Sequence, residues 1–207
     1  MKVVTFGELM LRLQPYNYER FVQCDHVEFT FGGGEANVAV SLANYGMDAS
    51  FVTKLPAHAI GQAAVNSLRR YGVDTTKIVR GGERVGIYFN EKGASQRGSV
   101  CIYDRANSAI AKASTSDFDW DAIFEGVDWF HFTGITPALG ANVVEICKEI
   151  LMPFAFAALQ ASLQISTTFA PRAGVIPVKW NQSTPSKIAS QSKSEVDAFA
   201  IAEFALS

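Results

Sequence analysis

Strand-like and helix-like periods alternate through the first 72 residues, and this alternation restricts the fold more than any other feature of the chain. Residues 2–6, KVVTF, form a short β-branched run closed by Gly7-Glu8. Such a run suits a buried strand whose carboxyl end delivers an acidic side chain. After the glycines of 32–34, Ala36, Val38, Ala39, Leu42, Ala43 and Tyr45 recur at helical spacing, and Gly46 suits a helix stop. Residues 50–55 read as a second strand, and residues 60–71 as a second helix closed by Gly72. This β-α-β-α order predicts a parallel sheet covered by helices. With 48% hydrophobic and 18% charged residues the chain has the material for a packed core.

The pattern changes after residue 80. Residues 85–90 and 99–103 are strand-like, and the stretch EKGASQRG links them, which is a hairpin signal. A hairpin inside an α/β alternation predicts a small sheet projecting from the main one, a natural lid over the sheet's carboxyl edge. The lid is expected to take in residues 9–32, with a strand near 27–31, and residues 84–105. Residues 128–133, DWFHFT, read as a further strand and 141–150 as a helix. Residues 151–171 contain no charged side chain, and KWNQSTPSKIASQSKSE after them reads as disordered. A boundary is therefore expected near residue 150.

Several classes are disfavoured. The net charge is −2, with both signs scattered, which gives no nucleic-acid surface. Cys24, Cys101 and Cys147 are widely spaced and lack CxxC or histidine pairing, so neither a disulfide framework nor a metal site is expected. His26, His58 and His131 are isolated, and His131 reads as structural. The N-terminus lacks a signal-peptide core, and the apolar stretch 150–165 is too short and too interrupted to span a bilayer. The expectation is a soluble cytoplasmic protein with neither membrane nor nucleic-acid partners.

Two constellations carry candidate chemistry. In FGGGEANVAVSLANYG, residues 31–46, glycines precede a helix start. The stretch is neither a P-loop nor a dinucleotide fingerprint, because Gly-Lys-Ser/Thr is missing and Asn37 replaces the last glycine. Glycines there still let backbone N–H groups approach a polar ligand, and Asn37 could offer its amide. Spacing alone leaves a plain tight turn standing beside a ligand loop. The second constellation is Tyr88 on one hairpin strand with Tyr103 and Arg105 at the end of the other. Residues 103 and 105 share a strand face, and an arginine beside tyrosine hydroxyls makes a carboxylate receptor. A solvated arginine with two half-buried tyrosines is the competing reading. Glu8 suits accepting sugar hydroxyls or orienting donors, and equally a capping or surface role.

Taken in order, VVTFGELMLRL, GGGEANVAVSLANYG, IGQAAVNSLRRYGVDT, GIYF, IYDRANSAIA and FHFTGITPAL resemble the N-terminal half of a ribokinase-like (PfkB) carbohydrate kinase. Within that family the residues most resemble 2-keto-3-deoxygluconate kinases, across about residues 2–150. The resemblance implies an α/β fold with a central sheet flanked by helices and a small β lid. It implies ATP-dependent phosphorylation of a sugar acid, 2-keto-3-deoxygluconate to its 6-phosphate, with Mg²⁺. Gly33, Gly34 and Asn37 would bind acceptor hydroxyls and carbonyl, and Tyr88, Tyr103 and Arg105 would hold the carboxylate end. It also implies a homodimer through the lid.

The sequence departs from that family in two places. Residues 55–61 read LPAHAIG where an acidic G-[DE]-D-x-x-G stretch is usual. Beyond residue 150 there is neither a GAGD-type stretch, which carries the family's general base, nor N-x-x-E, the element linked to Mg²⁺. The expectation is a chain without catalytic residues of its own and inactive alone, the alternatives being a non-catalytic sugar-acid-binding or lid-mediated dimerisation module, or a sugar kinase fragment of other substrate specificity. One possible codon series for LQISTT, residues 163–168, would read Ala-Asp-Leu-Asn-Tyr in a shifted frame, and the family resembled continues with Asp-Leu-Asn-Tyr-Arg. Residues 151–207 are therefore read as an unmatched tail, frame-shifted or disordered.

Overall fold

The computed structural model describes residues 1–152 and, as backbone, 203–205. The central sheet contains β1 (Lys2–Phe6), β4 (Asp48–Val52), β9 (Trp129–His131) and β10 (Glu203–Ala205), in the order β10-β9-β1-β4. β1 pairs in parallel with β4, Val4 opposite Ser50, and with β9, Val4 opposite Phe130. β10 adds an antiparallel edge to β9. The parallel sheet expected from the β-α-β-α order is present, and its buried strands read as near-continuous apolar runs for that reason.

Helices pack on both faces. α1 (Gly34–Asn44) and α2 (Ala59–Arg69) cover one apolar cluster, in which Ala36, Ala39, Phe51, Val65 and Leu68 meet Leu9 and Leu11. The other cluster gathers Phe6, Phe118, Trp120, Phe130 and Phe132 around α3 (Trp120–Phe124) and the helix of residues 141–152, α4. Phe6 sits edge-on to Phe118 and Trp120, at 5.7 and 5.4 Å between ring centroids. Alternation along β4 divides the clusters: Val52 and its register partner Phe6 belong to one, and Phe51, next to Val52 and opposite Thr5, belongs to the other.

Element boundaries differ modestly from the sequence reading. The strand expected at 50–55 is split into β4 and the short β5 (Lys54–Leu55), which pairs with β6 (Val79–Arg80). α1 begins inside the glycine triplet, with Gly33 as its N-cap. Gly46 stops it at φ +79°: its N–H bonds the Ala43 carbonyl and that of Met47 bonds Leu42. This doubly bonded left-handed stop favours glycine. His58, inside the divergent LPAHAIG stretch, caps α2: Nδ1 accepts from the Ile60 N–H at 3.2 Å, and Nε2 donates to the Glu83 carbonyl at 3.1 Å.

A second sheet stands apart from the first. β2 (Met10–Pro15), β3 (Val27–Gly32), β7 (Ile87–Glu91) and β8 (Val100–Asp104) order as β3-β2-β7-β8. The β7/β8 hairpin is antiparallel, with Tyr88 opposite Tyr103. Register gives this sheet two unlike faces. Leu13, Phe29, Phe89 and Ile102 form one cross-strand row, while Arg12, Thr30, Tyr88 and Tyr103 form a row on the other. The disordered stretch expected near 179–195 lies outside the described residues. No described helix is long and apolar enough to cross a membrane.

Candidate functional site

The site is assembled where β1 ends, α1 begins and β8 ends. Glu8 follows β1 and is 4% exposed. Arg105, just past β8, donates Nε–H to Glu8 Oε2 at 2.8 Å, and its Nη2 stands 2.6 Å from the same oxygen. Ser108 donates its hydroxyl to Glu8 Oε1 at 2.6 Å. The sequence reading took Arg105 as a receptor alone. The structure pairs it first with Glu8, and among the described residues only Nη1 of its guanidinium nitrogens has neither a hydrogen-bond nor an ion-pair partner.

The glycines have separate tasks. Gly33 is extended at φ −171°, a conformation open to any residue. A Cβ there would lie 2.0 Å from the Glu8 carbonyl oxygen, so close packing of the helix start on the strand end requires glycine. At Gly34 a Cβ would meet nothing within 4 Å among the described residues, so this residue exposes bare backbone. Among the described residues no side chain caps α1, which leaves first-turn N–H groups available to a polar ligand. Glu35 follows, buried at 4%. Its Oε1 accepts from Thr133 Oγ1 and Thr136 Oγ1, both at 2.6 Å, and from the Thr133 N–H at 3.1 Å. This carboxylate pins the helix start to the segment after β9.

A cavity of about 140 Å³ opens between these groups, lined in part by Glu8, Gly34, Glu35, Tyr103, Arg105 and Thr136. It is smaller than the ~300 Å³ at the low end of ligand pockets. Of the expected site residues, Gly34, Tyr103 and Arg105 meet there. Tyr88 stacks obliquely beside Tyr103, 6.0 Å between centroids, and its hydroxyl approaches Gly32 next to the Asn37 amide. Gly33 is buried beneath, against Glu8. The Arg105 guanidinium carbon lies 5.7 Å from the Tyr103 ring centroid. Tyr103's hydroxyl titrates above its ordinary range, first through a hydrogen bond with the Cys101 side chain, so the phenol remains a donor at neutral pH. A larger groove of about 440 Å³ runs between α2 and β6, but it contains none of the expected site residues; its Arg69 and Arg80 are engaged by Thr75 and the Pro56 carbonyl.

Sequence reasoning missed Glu35, Ser108, Thr133 and Thr136. Glu35 stood in the quoted motif, but one carboxylate near a helix start is ordinary. Its threonine partners lie 98 and 101 residues away, beyond any local pattern. Of the cysteines, Cys147 is buried, with burial pushing its thiol up to about 12, while Cys101 is exposed. No group of three or more His, Cys, Asp or Glu that could hold a metal ion occurs among the described residues.

The family description "pfkB family carbohydrate kinase" matches residues 1–171. A 2-dehydro-3-deoxygalactonokinase of Haloferax volcanii is 37% identical over 150 residues, which cover 72% of this chain and 47% of the relative. A 2-dehydro-3-deoxygluconokinase of Bacillus subtilis is 27% identical, over 73% of this chain and 47% of its own length. The crystal structure of a Thermotoga maritima 2-dehydro-3-deoxygluconokinase is 54% identical with a TM-score of 0.74, covering 76% of this chain and 48% of that one. A Listeria grayi PfkB family carbohydrate kinase gives 36% and 0.71, with 74% and 48% covered. The chain spans about half the length of the curated relatives it matches.

Proposed function

The chain belongs to the pfkB family of carbohydrate kinases, and on that premise we propose that its described residues form the acceptor half of a sugar-acid kinase site. The acceptor is a 2-keto-3-deoxy sugar acid, 2-keto-3-deoxygluconate before others, phosphorylated at its 6-hydroxyl. Gly33, Gly34 and Asn37 take its hydroxyls and carbonyl, and Tyr88, Tyr103 and Arg105 its carboxylate. The observation that carries this reading is the Arg105 guanidinium, fixed beside Tyr103 on the cavity onto which Gly34 opens. A planar cation flanked by a phenol donor suits a carboxylate better than a neutral sugar. The 2-dehydro-3-deoxy sugar-acid kinases of Haloferax volcanii and Bacillus subtilis among the relatives support the same acceptor class.

ATP is the donor in this reading, and when bound it supplies the phosphoryl group that passes to the acceptor hydroxyl. The described residues offer no cluster fit for Mg²⁺. Their part is therefore to hold and orient the acceptor and to shield it from water beneath the lid. No Gly-Ala-Gly-Asp stretch occurs in the 207 residues, so these residues alone are expected to bind the acceptor without turning over ATP. Calorimetric titration with 2-keto-3-deoxygluconate and with a neutral hexose is expected to give binding only for the acid. Equal binding of both, or of neither, removes the sugar-acid reading, and ATP turnover above background in a coupled assay removes the expectation of inactivity.

A second surface favours pairing of two copies in the cytoplasm through the lid. On the lid face away from the tyrosines, Phe29 is 48% and Ile102 55% exposed, in one cross-strand row. Sedimentation over a concentration series is expected to show a dimer that Ile102→Asp disrupts. A monomer at all concentrations rejects the pairing.

A further inference from the structure

Glu8 is absent from the acceptor-binding set, yet it is the group on which Arg105 depends. It leaves the main sheet at the end of β1, whereas Arg105 leaves the lid sheet at the end of β8. Their contact therefore crosses from one sheet to the other, between residues 97 apart in sequence. Glu8 is nearly out of solvent, and both its oxygens are engaged: Oε2 by Arg105 Nε and Nη2, Oε1 by the Ser108 hydroxyl. Room for the pair comes from Gly86, just before β7. A Cβ there would lie 2.5 Å from Glu8 Oε1 and 3.2 Å from Arg105 Cβ.

We infer that Glu8 is a positioning residue, which fixes the Arg105 guanidinium across the two sheets and leaves Nη1 as the donor for an acceptor carboxylate. A free arginine must lose side-chain freedom when it binds. One already clamped through two nitrogens has lost it in advance, and its planar fork holds the remaining donors in fixed directions. Ser108 completes the clamp by holding the other carboxylate oxygen. The identity of the ligand rests on the sugar-acid reading above; the clamp itself rests only on the contacts of Glu8.

Side-chain NMR of the full 207-residue chain without ligand tests the clamp. A slowly exchanging Arg105 Nε–H resonance, assigned through Arg105→Lys, is expected in the unaltered protein and should vanish in Glu8→Gln. Titration with 2-keto-3-deoxygluconate is then expected to show about tenfold weaker binding for Glu8→Gln, the scale of one charged hydrogen bond. In an Arg105→Ala background, Glu8→Gln is expected to cost nothing more, because it acts only through Arg105. A further loss there would mark a general structural role and overturn the inference. A rapidly exchanging Nε–H in the unaltered protein overturns it as well, as does binding by Glu8→Gln that equals or exceeds that of the parent. If Glu8→Gln does not fold, Ser108→Ala makes the same test: about threefold weaker binding is expected in the folded variant, and unchanged binding overturns the inference. A protected Nε–H that Glu8→Gln abolishes, in a protein that binds no sugar acid, upholds the clamp and rejects the ligand.

Discussion

Gly33→Ala is expected to destabilise the fold by about 3 kcal/mol, the upper end of what overpacking ordinarily costs. The added Cβ would fall 2.0 Å from the carbonyl oxygen of Glu8. That oxygen belongs to the backbone leaving β1, so no side-chain rotation relieves the clash, and either the start of α1 or the strand end must shift. The residue's φ of −171° is unstrained for alanine, so the loss reports close approach and not backbone conformation. Gly34→Ala is the matched control. Its Cβ meets nothing within 4 Å among the described residues, and alanine is up to ~1 kcal/mol better than glycine within a helix. Urea unfolding of both variants should therefore separate neighbouring glycines of one motif in opposite directions. Equal and small effects would mean that the helix start does not pack on the strand end as described.

Arg105→Ala is expected to weaken binding of 2-keto-3-deoxygluconate by about 1.5–3 kcal/mol, the range for hydrogen bonds to charged groups, or roughly tenfold to more than a hundredfold. It is also expected to reduce stability, because Glu8 then retains only the Ser108 hydroxyl while 4% exposed. Removing one partner of a buried pair leaves an uncompensated charge. The Arg105 side chain is 27% exposed, so solvent screening holds that loss to about 1–3 kcal/mol. Arg105→Lys separates the two effects. Lysine keeps the charge against Glu8 but lacks the fork, so it should restore most of the stability and less of the binding. Calorimetry measures the first quantity and urea unfolding the second. An affinity unchanged in Arg105→Ala removes this residue from the acceptor site.

The fold was legible where local pattern and tertiary context agree. The β-branched run at 2–6 and the apolar spacing of α1 closed by Gly46 gave elements within two residues of those observed. So did the α2 pattern closed by Gly72 and the hairpin around EKGASQRG. Strand ends were less legible. The reading of residues 50–55 as one strand missed the interruption at Thr53, because β-branched residues favour a strand without marking where pairing changes partner. The site was legible in part. The two-residue spacing of Tyr103 and Arg105 is that of one strand face, a consequence of strand period; that Tyr88 stands opposite Tyr103 is a matter of hairpin register, which the spacing did not give.

By itself the sequence determined the alternation of strands and helices, the hairpin lid, and the family that its ordered motifs resemble. The first two follow from periodicity and turn chemistry, which act over a few residues, and the third from the identity and order of the motifs. Only the tertiary structure decided that Arg105 is clamped by Glu8, that Glu35 is held by Thr133 and Thr136, and that Gly33 serves packing while Gly34 opens onto the cavity. Most of those pairings join residues about a hundred positions apart: Glu8 and Arg105 meet between the two sheets, and Glu35 meets its threonines between the start of α1 and the segment after β9. A buried carboxylate must find its donors wherever the fold delivers them, and no local spacing announces which they are.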